Sequence, residues 1–448
     1  MWVWPSGVRA TSSERGVVGS MAEDMGRVRG ETATLRSRAS LPAMVLLLFG
    51  TLGISTAYGM LLLLPLYVQK LGGNEADFGI VMASASVTAA VSIGLVIRYP
   101  EALRANVVLA IAVLLYGFGA AGAALVRGTW LPLIGIGLLL GTAWAVVYAA
   151  SPMVMSEMVT DQERVIHFGY LTGTQQLGIG VGPVVAGFLV GGGLGFRGTF
   201  FLAGGICVLA AVLVFGVGRL VSDTRKAVSK DTSTFGSETD AEPEQTVSFK
   251  TAMGRILRSE TAFWLTMILI FACLFTTLTS FQTTFAAARS LDFSVYFLSY
   301  TAAVILSRFG IANFSSRYDT RLVVAVAASV TALSVASFLL VGSNTVLYGL
   351  ASGFVGIGYG LALPAAQAQA VNVSEQAVRP RVLPLAGLLF ETMILAFPLL
   401  AGWVIAGFGY GAVFVLLVFL CLVQAGLAWE RFLATRRVAS PAQSGKSS

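Results

Sequence analysis

Few side chains in this sequence could do chemistry, and the most telling is Glu391, which stands inside the apolar run LLFETMILAFP. A charged group at the centre of a membrane helix costs roughly 2.5 to 3.5 kcal/mol on insertion scales, so its presence there points to a task, exchange of a proton or another cation. The plain alternative is a protonated or paired glutamate that only joins helices. Arg308 is the second charge inside an apolar run, close to the end of that run. There it could serve in a gate or face an anion, or simply extend its guanidinium to water. His167, the single histidine, neighbours Asp161, Glu163 and Arg164 and reads as interfacial. Cys207, Cys273 and Cys421 each lie within an apolar run, without pairing spacing or histidine partners, so neither a disulfide framework nor a metal site is expected. With no Ser/His/Asp set and with Ser440 where a phosphate loop ending in Gly445-Lys446-Ser447 would need its leading glycine, neither an enzyme nor an ATP-driven or cofactor-dependent device is expected.

Uncharged polar residues recur at helical spacing. Thr51, Ser55 and Tyr58 share one face, as do Trp144, Tyr148 and Ser151, and Tyr296, Tyr300 and Ser307; Thr172, Gln175 and Gln176, Thr276, Thr277 and Ser280, and Tyr359 and Gln367 add further stripes. Such stripes either hydrogen-bond helices together or line a solvated cavity.

The elements that position these residues follow from composition. Of 448 residues 56% are hydrophobic and only 11% charged, with a mean hydropathy of +0.81, whereas a water-soluble domain has about a quarter of its residues charged. The solvent must be lipid. Twelve apolar stretches have about the 20 residues a helix needs to cross the hydrocarbon, from Leu41–Val68 through to Val413–Trp429. Placing both termini in the cytoplasm puts 24 of the 29 Lys and Arg residues on that side and only Lys70, Arg127, Arg197 and Arg289 outside, with Arg308 inside a span. The net charge of +7 then needs no nucleic-acid partner. Residues 1–40 form a polar N-terminal tail without signal-peptide features, 41–220 a first six-helix bundle, 221–261 a flexible cytoplasmic linker, 262–430 a second bundle and 431–448 a cytoplasmic tail.

The two bundles repeat one another. An offset of 215 residues places Asp77-Phe78 on Asp292-Phe293, Gly141 on Gly356, Arg164 on Arg379, Pro183 on Pro398 and Gly187 on Gly402, and it sets Gln176 opposite Glu391. GFRGTF from Gly195 matches GYGAVF from Gly409 with one residue of slippage. With the fifth-span segment Gly178-Ile-Gly180-Val-Gly182-Pro183-Val-Val-Ala186-Gly187, the sequence resembles the major facilitator superfamily from about Leu41 to Trp429. That segment is similar to the family's exporter-associated G-x-x-x-G-P-x-x-G-G pattern, Ala186 replacing one glycine. The family's loop signature departs in both halves: Gly94 to Arg104 lacks the aspartate, and Ser316 precedes Arg317 in place of an acid. Gly137 stands where proton-coupled drug exporters commonly carry an arginine.

The resemblance implies an all-α membrane protein of twelve transmembrane helices in two pseudo-symmetric six-helix bundles, with the third, sixth, ninth and twelfth helices peripheral. The polar stripes then fall on a central cavity, lined by Ser55, Tyr58, Trp144, Tyr148, Gln175, Gln176, Tyr300 and Tyr359, with Glu391 as coupling residue and Gly178, Gly182, Pro183, Gly187, Arg308 and Arg317 at the gates. The expected activity is alternating-access export of a small amphipathic metabolite, metal chelator or drug in exchange for protons, by a monomer in the cytoplasmic membrane. Uptake or facilitated diffusion of a sugar-like or organic solute, and a sensor that no longer transports, are the rival readings.

Overall fold

The computed structural model describes residues 41–98, 105–156, 158–159, 164–232, 249–308 and 318–439. Arg317, residues 1–40 and residues 440–448 lie outside the described residues, whereas 431–439 of the expected C-terminal tail continue the last helix. The elements are α1 (Leu41–Lys70), α2 (Glu75–Arg98), α3 (Ala105–Leu125), α4 (Leu133–Ser156), α5 (Arg164–Leu189), α6 (Gly195–Thr232), α7 (Phe249–Arg258), α8 (Glu260–Ser280), α9 (Gln282–Ala288), α10 (Phe293–Leu306), α11 (Thr320–Ser337), α12 (Thr345–Asn372) and α13 (Arg379–Ala439). Among the described residues there is no strand.

Nine helical stretches in the described residues are long and apolar enough to cross a membrane, and α10 is a shorter apolar helix. Two of the nine, Ile166–Leu220 and Arg381–Thr435, run for 55 residues, about 80 Å at helical rise against roughly 30 Å of hydrocarbon. Each is broken by glycine. Gly195 joins α5 to α6 with φ 64°, ψ 174°, and Gly409 breaks α13 with φ 80°, ψ 174°. That backbone region is open to glycine almost alone, so the near-repeat GFRGTF and GYGAVF encodes the same joint twice. Phe188, Leu333 and Phe408 lie on the outer surface, each more than three-quarters exposed, as lipid rather than water as solvent permits.

The 215-residue repeat is spatial as well. A Cβ on Gly141 would collide with the carbonyl of Ala85, and one on Gly356 with the carbonyl of Tyr300. Residues 85 and 300 obey the offset too, so α4 on α2 and α12 on α10 pack through equivalent atoms. Helix starts are fixed by short polar side chains. Asn74 Oδ1 accepts from the Ala76 and Asp77 amides while Asp77 Oδ2 accepts from the Asn74 amide, and Asp292 Oδ1 accepts from the Ser294 amide.

Between the halves the sequence suggests a flexible linker over 221–261, whereas helix enters it from both ends. No glycine or proline interrupts Val221 to Thr232, so α6 continues to Thr232. In α7, Phe249, Met253, Ile256 and Leu257 recur at helical spacing among Lys250, Arg255 and Arg258. Ile256 is buried, and Arg255 reaches Glu375 at 3.6 Å with both side chains about half exposed, a contact that contributes little.

The halves meet along a seam. Leu62, Ala85, Ala89, Ile93 and Ala145 join the core of the second half, and Phe281, Ala401, Ile405 and Val413 join that of the first. At the end carrying the 71–74 loop the seam is tight. Tyr410 Oη donates to Glu75 Oε1 at 2.7 Å, Thr283 Oγ1 donates to the Leu62 carbonyl at 3.2 Å, and Phe78 meets Phe281 edge-on at 5.5 Å. Gly79 faces the backbone of Pro398 and Leu399, and Gly402 faces the Glu75 carbonyl, each too close for a Cβ.

Candidate functional site

Two prolines, Pro384 and Pro398, lie inside α13, with Glu391 midway between them. A proline deprives the carbonyl four residues earlier of its helical donor. For Pro398 that carbonyl is Ile394, and Thr276 Oγ1 of α8 donates to it at 2.5 Å. The polar residue of a neighbouring helix thus repairs the break and fixes the stretch that carries Glu391.

Glu391 is 2% exposed. The Trp144 indole of the first half lies near its carboxylate, and Oε2 has no hydrogen-bond partner. Glu391 also lies within electrostatic reach of the phenols of Tyr58, Tyr148 and Tyr359. Tyr58 and Tyr359 each belong to a ring stack. Tyr58 and Trp144 lie 4.0 Å apart, with Tyr116 beside both; Phe275 and Tyr359 lie 4.9 Å apart, with Tyr300 6.0 Å from Tyr359 and Phe390 6.1 Å from Phe275. The first stack belongs to the first half and the second to the second half. One turn before Glu391, a Cβ on Gly387 would lie 3.9 Å from the Tyr148 ring. One turn after it, Leu395 lines a cavity of about 50 Å³ shared with Tyr58, Met82, Ala85, Tyr116 and Trp144, room for a few waters at most.

Polar atoms around this centre lack partners. Ser55 Oγ, Gln176 Nε2, Tyr300 Oη and Arg308 Nε are buried without a hydrogen bond, although nearly all buried polar groups in proteins are satisfied. The charge of Arg308 acts on Tyr148, Tyr300 and Tyr359. Gln175 is half-buried on α5.

The sequence profile of the Major Facilitator Superfamily matches residues 43–394. The chain belongs to this superfamily. No curated protein is significantly similar in sequence. Among solved structures, the fold resembles a bacterial homolog of the human lysosomal transporter Spinster in an inward-facing, unoccupied conformation (TM-score 0.67, 13% identity, covering 90% of this chain and 97% of that one). It also resembles the nucleoside transporter NupG (TM-score 0.63, 17% identity, 87% and 99%) and the human organic anion transporter MFSD10 (TM-score 0.58, 16% identity, 87% and 99%). Membership of this superfamily and the apolar helices make the chain a multi-pass membrane transporter and not an enzyme.

Within this superfamily chain the fifth-span glycines divide between two neighbours. Gly178 and Gly182 face α1, where a Cβ on Gly182 would sit 2.5 Å from the Thr56 carbonyl oxygen and 2.6 Å from Gly59 Cα. Gly180 faces Thr301 and Gly187 faces Phe293, both on α10 of the other half. Pro183 is inside α5, and the Ile179 carbonyl it leaves without a helical donor looks onto Gly59. Tyr116, Phe275 and Phe390, and the seam pair Glu75 and Tyr410, did not stand out in the sequence. Tyr116 lies on a helix expected to be peripheral, Phe275 and Phe390 carry no polar atom to mark them, and Glu75 looks like an ordinary helix-start acid.

Proposed function

We propose that this chain is a proton-coupled exporter of a small amphipathic molecule, a monomer with twelve crossings and both termini in the cytoplasm, in which Glu391 is the coupling residue. The observation that carries the reading is a fully buried carboxylate with a free oxygen where the two halves meet. Protonation makes such a group neutral and lets the halves close over it, and loss of the proton favours the state in which water or a ligand reaches it. Its repeat-related position is Gln176, which has similar shape but cannot titrate. Ser55, Tyr58, Trp144, Tyr148, Gln175, Tyr300 and Tyr359 surround the path, with Arg308 towards its other end. The 71–74 end, external in this topology, carries the tight seam, so substrate access is from the cytoplasm. Gly180 and Gly187, against α10, are the contacts that slide between states; the small residues against α1 hold the first half together as it moves.

Inverted vesicles from cells expressing the chain, energised to acidify their interior and offered a panel of fluorescent amphipathic dyes, test the reading. Accumulation of at least one dye, abolished by a protonophore and by Glu391→Gln at equal membrane levels, is expected. Accumulation that survives the protonophore would remove protons from the mechanism. Dye entry into intact cells in place of efflux would establish uptake, and inert vesicles across the panel would favour a sensor.

A further inference from the structure

The charge class of the substrate can be read from what surrounds Glu391, taking that site as the transport site. We infer that the site binds an organic cation, a protonated amine or quaternary ammonium carried on an apolar or aromatic body, with its charged head between Glu391 Oε2 and the stacked Tyr58–Trp144 rings.

Three observations carry this. First, Glu391 is 2% exposed and its Oε2 is unpartnered; an isolated buried carboxylate is costly unless a cation or a proton joins it. Among the described residues no ion pair involves Glu391. Second, the walls are aromatic on both sides of the seam, with Tyr58 and Trp144 from one half and Phe275, Tyr359 and Phe390 from the other. Ring faces carry negative charge density, so they attract a desolvated cation and repel an anion. Third, the cavity of about 50 Å³ begins at Leu395, one turn from the carboxylate, and the same Tyr58 and Trp144 line it.

Arg308 supplies the competing possibility of an anion site. Its charge reaches Tyr148, Tyr300 and Tyr359, but it does not act on Tyr58, whose ring stacks on Trp144 beside the carboxylate. Both charges reach Tyr148 and Tyr359, and the stack of Tyr58 on Trp144 lies beside the carboxylate. Glu391 fixes the sign of the ligand, and Trp144 and Tyr58 fix its preference for a greasy, weakly hydrated head over a small inorganic ion.

Binding in detergent, without any gradient, tests this separately from transport. The probes are benzyltrimethylammonium and benzylsulfonate, of similar size and opposite charge, followed by isothermal titration of the purified full-length protein. Saturable binding of the ammonium with at least tenfold preference over the sulfonate is expected, falling at least tenfold in Glu391→Gln and several-fold in Trp144→Leu, and retained in Glu391→Asp. Equal or stronger binding of the sulfonate, absence of saturable ammonium binding, or unchanged binding in a monodisperse Glu391→Gln protein would overturn the inference. The ammonium-to-sulfonate contrast needs no variant, so it decides the matter even where a substitution impairs folding. Ammonium binding without proton-driven dye efflux would leave the cation site standing and remove the coupling reading; proton-driven efflux without ammonium binding would do the reverse.

Discussion

At the scale of single residues, polar atoms held ready for something other than the protein distinguish the centre of this molecule. Ser55 is 1% exposed and its hydroxyl has no partner, so the fold gains nothing from that oxygen. Ser55→Ala should therefore change stability by less than about 0.5 kcal/mol or raise it slightly, while dye efflux in the vesicle assay falls. A melting curve of the detergent-purified variant checks the first half of this; a large loss of stability would show that Ser55 serves the fold. Thr276 is the contrasting case, since its hydroxyl donates to the carbonyl released by Pro398. Thr276→Val keeps the shape and should cost about 1 to 2 kcal/mol, read as a lowered melting temperature. The sequence alone picked out Glu391, because a carboxylate in an apolar run is visible without structure. It could not distinguish Ser55 from Thr276, because a hydroxyl's partner is set by tertiary contact.

Among the helices, glycines decide which surfaces come together. Gly141 and Gly356 pack through equivalent atoms in the two halves, so Gly141→Ala and Gly356→Ala should each destabilise by about 1 to 3 kcal/mol, and by similar amounts. Thermal melts of both variants check this, and a wide disparity would break the equivalence of the halves. On α5 the two glycine faces should separate. Gly182→Leu drives a side chain into the main chain of α1 and should impair folding of the first half itself. Gly187→Ala meets only the end of the Phe293 ring, which can turn, so the protein should fold and transport more slowly. Expression and gel filtration, followed by efflux rates, distinguish the two. The segment itself was legible as a small-residue pattern around Pro183; which glycine touches which helix was not, since four residues in one turn point to different neighbours. The helical parts of the linker were masked by its charged composition, and the amphipathic spacing of Phe249, Met253, Ile256 and Leu257 was the available signal.

For the whole molecule, the repeat and the charge distribution carried most of the architecture. Lipid solvent and two halves follow from hydropathy and the 215-residue offset, because both are properties of long stretches, and the superfamily resemblance rests on the Gly178-to-Gly187 segment as well. Reporter fusions at Asn74 and Ser448 should read external and cytoplasmic respectively; a cytoplasmic signal at Asn74 would invert the topology. The state of the seam belongs to this scale as well. Tyr410→Phe removes the hydrogen bond to Glu75 and should shift the balance away from closure of the 71–74 end by about 1 to 1.5 kcal/mol, roughly five- to tenfold. Spin labels at Asn74 and Gly407, with distances measured in detergent, would show a grown population at longer separation.

The same seam has an electrical consequence. Where Gly79 lies against Pro398 and Leu399, and Gly402 against Glu75, main chain meets main chain, and no side chain stands between them that could swing aside. A file of water molecules needs gaps of molecular width to conduct protons, and backbone atoms in van der Waals contact leave none. A carrier whose work is drawn from a proton gradient fails as soon as protons cross without cargo. With main chain closing on main chain beside the Tyr410–Glu75 and Phe78–Phe281 contacts, this end of the protein should act as an insulator, and in the proposed cycle the ion current would be confined to what Glu391 carries.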